Sequence, residues 1–139
     1  MLPLLTNSFK NIIRYMIKWF NVKARNGVAT LYDNNITLNT TAMDPFEIAY
    51  KVQVGLSEEG NIIIKPLTKA FIETGKLDEN SLLKIEMRKS FARIASVSLM
   101  KQIAQALNIT LSKSPIQYET TWDSVENILT INTSKVLKN

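Results

Sequence analysis

The chain carries neither histidine nor cysteine. That removes the usual acid–base group near neutral pH, the thiolate nucleophile, any disulfide and the commonest nitrogen and sulfur metal ligands. Carboxylates, hydroxyls and amines remain. The adjacent acidic pairs are Asp78-Glu79 and Glu58-Glu59. The first stands where a helix start attracts negative charge and the second sits in "SEEG", a turn sequence, so each has a local explanation. "SLMK" at 98–101 has the spacing of a Ser/Lys hydrolase, but the companion SDN and KTG motifs are missing. "DNN" at 33–35 offers oxygen donors without the spacing of a calcium loop. There is no G-x-S-x-G elbow, phosphate-binding glycine loop or H-E-x-x-H. The residues point away from catalysis, and neither a cofactor nor a metal is expected.

A second group of residues offers binding chemistry instead. "FKNIIRYMIKWFNVKAR" (9–25) interleaves aromatic and aliphatic residues with Lys10, Arg14, Lys18, Lys23 and Arg25, and holds no acid. The whole chain has 17 basic and 12 acidic residues, a net charge of +5. Those five residues therefore account for all of it, and residues 26–139 are neutral. At about 100° per residue, Leu5, Ile12, Ile13, Met16, Ile17, Trp19 and Phe20 share one wide arc. Lys10, Arg14 and Lys18 lie opposite them. An apolar arc with Trp and Phe, backed by lysine and arginine, is the pattern of a helix lying on an anionic membrane. Trp19 and Phe20 beside Lys18 are the expected interface anchors. The same arc would also pack across a sheet, or against a partner subunit. Nucleic-acid binding ranks third, because the aromatics lie away from the basic stripe and base stacking beside phosphate contacts wants them together.

The elements that must carry these residues follow from periodicity. At 139 residues, 45% hydrophobic and 21% charged, the chain has the composition of one folded domain. The spacing predicts a helix from about Leu4 to Phe20, ended by Asn21 and Asn26-Gly27. Four strands are expected at "VATLY" (28–32), "ITLNTT" (36–41), "FEIAYKVQV" (46–54) and "NIIIKPL" (61–67), joined by turns short enough for an antiparallel meander. In the third, Phe46, Ile48, Tyr50, Val52 and Val54 would share a packed face. Residues 77–108 then read as helical, in one long helix or two, with Leu83, Met87, Phe91, Ile94 and Val97 along one stripe. A hairpin is expected from "IQYETTW" (116–122) and "ILTINTS" (128–134). The sum is an α+β fold. A basic amphipathic helix spans 1–25. Residues 26–139 form a single domain whose curved, mostly antiparallel sheet, a meander and then a C-terminal hairpin, packs on a long central helix.

The order of elements in "VATLYDNNITLNTTAMDPFEIAYKVQVGLSEEGNIIIKPLTKAF", with a later helix and "SPIQYETTWDSVENILTINTS", resembles the C-terminal part of LmeA-like phospholipid-binding proteins of the tubular lipid-binding superfamily. The resemblance covers roughly residues 28–134 and lies in element order and alternation. It implies a strongly curved sheet around a helix, with a slot for acyl chains between them. Chosen by face, the lining residues would be Phe46, Ile48, Tyr50, Val52, Ile94, Val97 and Ile103. The chain is short for such a module, so a homodimer or a shallow groove is implied. The resulting expectation is a non-enzymatic lipid-binding or peripheral membrane protein, cytoplasmic or membrane-associated. No signal peptide is convincing, and no run approaches the roughly 20 apolar residues that span a bilayer. The alternative is a homo-oligomeric scaffold whose N-terminal helix packs on a partner subunit.

Overall fold

Alternation sets the architecture. In β1 (Val28–Leu31) and β2 (Asn35–Leu38) every second residue is buried: Ala29 and Leu31, then Ile36 and Leu38. The same holds for Ile62 and Ile64 in β4 (Ile62–Leu67), Ala92 and Ile94 in β6 (Ala92–Ala95), and Leu129 and Ile131 in β8 (Ile128–Lys138). A period of two puts those side chains on one face of a pleated sheet. A computed structural model describes residue 17 and residues 26–138, with these strands in a single sheet. The remaining strands are β3 (Lys51–Leu56), β5 (Glu86–Met87) and β7 (Ile116–Asp123).

The order across the sheet is β3-β4-β8-β7-β1-β2-β6-β5, and every neighbouring pair is antiparallel. Two early hairpins, β1–β2 and β3–β4, lie apart from each other, and the C-terminal hairpin β7–β8 fills the space between them. The sheet also curls until its edges meet. Leu83, just before β5, exchanges two backbone hydrogen bonds of 2.9 Å with Val52 of β3. The result is a nearly closed barrel filled by its own side chains, including Ile36, Val52, Ile62, Ile94, Leu129 and Ile131. Among the described residues no polar or charged residue is fully buried.

Short helical segments close both ends. At one end, α1 (Thr40–Met43) and a 3-10 turn (Asp44–Phe46) drive Ala42 and Phe46 into the barrel. The Phe46 ring meets Trp122 edge to face at 6.1 Å. Asn39 organises this end with one amide: its Oδ1 accepts from the N–H groups of Val28 and Ala42, and its Nδ2 donates to the Asn26 carbonyl. Gly27 lies against it so closely that a β-carbon there would fall on the Thr120 hydroxyl and within 3.3 Å of the Ala42 backbone. At the other end lies α3 (Val97–Leu107), while α2 (Lys69–Glu73) follows β4 outside the barrel.

Three sequence expectations are corrected here. The helix over 77–108 is α-helical only across Val97–Leu107, eleven residues, with a short 3-10 turn at Glu79–Ser81, and no long central helix exists among the described residues. The reason lies in "LKIEMR": Leu83, Ile85 and Met87 are partly buried while Lys84, Glu86 and Arg88 are exposed. That is a period of two, which a four-residue stripe through Leu83, Met87 and Phe91 happens to overlap. The meander is also replaced, since β2 pairs with β6 and not with β3. Finally, Phe46, Ile48 and Tyr50 do not continue the strand. Asp44-Pro45 starts a 3-10 turn, Pro45 supplying a φ that suits its first turn, and β3 begins only at Lys51. The predicted helix at 4–20 lies outside the described residues, Ile17 excepted. The C-terminal hairpin is present, with Asp123 Oδ1 accepting from Val125 and Glu126 and Asn127 in the left-handed conformation at its turn.

Candidate functional site

The site is built by α3 and the outer edge of β3. Serine at position 96 caps the helix by accepting from the Leu99 N–H, and Asn108 ends it with a left-handed φ of 53°. Between those caps Met100 and Ile103 are buried and Leu99 and Leu107 partly so, which gives α3 one apolar face toward the barrel mouth. The helix lies between the β1–β2 turn, where Ser96 N–H donates to the Asn34 carbonyl, and the β3–β4 turn, where Leu107 approaches Gly60.

A trough runs between this helix and β3. Its apolar part, about 210 Å³, is lined by Val54, Gly55, Leu56, Leu99, Ile103 and Ala106, with Gln102 at its side. It continues past Val54, Leu99 and Gln102 into a more polar space of about 430 Å³ that reaches Asp78, Asn80, Ser81 and Leu83. Asp78 is the one charged residue lining either part. Just beyond the end of β3, Glu58 and Glu59 are exposed in the turn. The Glu59 carboxylate is held below the usual range by its own backbone N–H and by the Ser57 hydroxyl, so it stays ionised.

The wall formed by β3 is an open strand edge. Ser57 N–H donates to the Asn61 carbonyl, which makes Ser57, Gly55 and Gln53 the residues bonded to β4. Val52, Val54 and Leu56 therefore turn their N–H and C=O groups the other way. Pro66 fits this register, because it lies opposite Val52, where β4 has no N–H to supply. Val52 is satisfied by Leu83. Beyond it the chain leaves the edge: residues Glu79–Ser81 form a 3-10 turn, and Ser81 instead accepts from the Gln53 amide at 2.9 Å. Val54 and Leu56 have no hydrogen-bond partner on that edge among the described residues.

The residues chosen from sequence for an apolar slot are dispersed. Phe46 plugs the opposite end of the barrel, and Val52 and Ile94 lie in its filled interior. Ile48 is 78% exposed; Tyr50 is also exposed, beneath the Lys69 ammonium, 5.8 Å from its ring centroid. Val97 is exposed on the other flank of α3, facing Asp33, Lys101 and Lys113. Ile103 alone lines the trough. The trough residues that sequence reasoning missed are Leu56, Gly55, Gln102 and Ala106; Val54 and Leu99 were legible only as apolar members of their elements. Lys10, Arg14, Lys18, Trp19, Phe20, Lys23 and Arg25 lie outside the described residues.

The candidate chemical groups serve local structure. Asp78 Oδ1 accepts from the Asn80 N–H, Ser98 accepts from the Gln102 amide, and Asn34 accepts from Asn35. Among the described residues no helix is long and apolar enough to cross a membrane. No known family model matches this chain, and neither does any curated protein or solved structure.

Proposed function

We propose that this chain is a non-enzymatic, peripheral membrane-binding protein that meets anionic lipid through residues 1–25. The observation that carries this reading is the charge division. Lys10, Arg14, Lys18, Lys23 and Arg25 hold the entire net charge of +5, beside Trp19 and Phe20, while the rest of the chain is balanced. Each basic residue near an anionic surface contributes about 1 kcal/mol, and Trp at the interface adds an amphipathic anchor. The barrel interior is occupied by its own side chains, and the trough beside it is open along the β3 edge. Lipid is accordingly met as a surface and not enclosed as a ligand.

Flotation of the full chain with vesicles of neutral lipid, and of neutral plus anionic lipid, tests this. The chain floats only with the anionic vesicles. Charge reversal at Lys10, Arg14 and Lys18 to Glu removes about 3 kcal/mol or more of attraction, a loss of at least about a hundredfold in partitioning. Flotation indifferent to both lipid charge and those substitutions overturns the reading.

A further inference from the structure

The trough and the open edge belong together, and the edge decides what fits. An apolar groove alone would accept many things. Here one wall offers two N–H donors and two C=O acceptors, on Val54 and Leu56, at strand spacing. Their complement is another extended backbone, the arrangement by which a peptide adds a strand to a sheet. Leu83 already pairs with β3 in this way at Val52, but Glu79–Ser81 before it turn away, leaving the next two positions open in the same antiparallel line. Residues paired with Val54 and Leu56 would point their side chains the way those two point, toward Leu99, Ile103 and Ala106. Alternate residues of the incoming strand would face outward.

Charge selects among extended chains. Asp78 stands at one end of the trough and Glu58 and Glu59 at the other, and no basic residue lines it. A second copy of this chain is a poor occupant. The two-fold pairing that joins Val54 to the partner's Leu56 sets Glu58 of each copy opposite Val52 of the other, beside Leu83 and close to Asp78. Like charges then meet at both ends of the contact. We propose that the β3 edge is a docking site for an extended segment of another polypeptide, with apolar residues at i and i+2 and basic residues around them. The site lies at the α3 end of the barrel, whereas Asn26 and Gly27 lie at the α1 end. It stands independently of membrane attachment.

The test uses the full chain without lipid and a capped probe peptide, Lys-Val-Lys-Leu-Lys. At saturation, hydrogen exchange at the Val54 and Leu56 amides slows at least tenfold, while Gly55, already paired with β4, changes little. Methylating the Val and Leu nitrogens of the probe, or replacing its lysines by glutamates, weakens binding at least tenfold. Ala106→Lys fills and charges the apolar wall from an exposed helix position; it produces a similar loss with an unchanged melting curve. Leu56→Pro removes one outward donor without touching the β4 ladder and does the same. Equal binding of the methylated or acidic probe overturns the proposal. So does protection at other residues, or protection of Val54 and Leu56 before any peptide is added, whether from a second copy or from the chain's own residues.

Discussion

Adding one methyl group to Gly27 measures how tightly the α1 end of the barrel is built. The new β-carbon of Gly27→Ala would fall on the Thr120 hydroxyl and 3.3 Å from both Cα and Cβ of Ala42. Thr120 must leave its rotamer, at about 0.5–1.5 kcal/mol. The α1 backbone must also give, and overpacking of this kind costs about 1–3 kcal/mol in all. Alanine restricts the unfolded chain and returns about 0.4–1 kcal/mol. The net loss is about 1–2 kcal/mol, which for a domain of this size lowers Tm by about 4–8 °C. Urea unfolding of the single variant, of Thr120→Ala and of the double variant completes a cycle. Removing the Thr120 hydroxyl relieves the first clash but not the second, so the two changes couple favourably by about 0.5–1.5 kcal/mol. A Gly27→Ala protein as stable as the parent, or a cycle with no coupling, refutes the packing described here.

Phe46→Ala removes the ring that plugs the same end and its edge contact with Trp122, at a cost of about 3–5 kcal/mol read from the denaturation midpoint. Asn39→Ala orphans the Val28 and Ala42 amides and costs about 2 kcal/mol, whereas Asn39→Asp keeps that acceptor and recovers most of the loss in the same assay. Burial raises the Tyr118 phenol above its ordinary value of 10.0. The unfolded chain therefore releases that proton first as pH rises past about 10, so the contribution is complete below about pH 10 and is lost as pH climbs through the folded-state value. Unfolding midpoints at about pH 9 and about pH 11 fall further for the parent than for Tyr118→Phe.

Strands whose alternation is uninterrupted could be read directly. Ala29/Leu31, Ile36/Leu38 and Ile62/Ile64 mark β1, β2 and β4, and "DSVEN" marks the turn of β7–β8. Two things were hidden. Leu83, Met87 and Phe91 repeat every four residues and every two, and only Ile85, with Lys84 and Glu86 exposed beside it, favours the strand. Partner choice was the other. Nothing local to β2 says that it joins β6, because Ile36 would pack as well against an isoleucine of β4 as against Ile94. The site inherits that second blindness. Val54 and Leu99 are each visible as apolar residues, but the edge that turns them into a docking trough is defined by where the chain, coming from the turn at Glu79–Ser81, first joins β3 at Leu83, and that is a tertiary fact.

The position of the β7–β8 hairpin bears on how this molecule is made. It pairs with β4 on one side and β1 on the other, so without residues 116–138 the β1–β2 and β3–β4 hairpins are joined only the long way round, through β6, β5 and the Leu83–Val52 bridge. A chain without them leaves the β1 and β4 edges that carry Leu31, Ile62 and Ile64 open to any neighbouring strand, an aggregation hazard. Only with β7 and β8 in place do β4 and β1 become parts of one continuous run of strands.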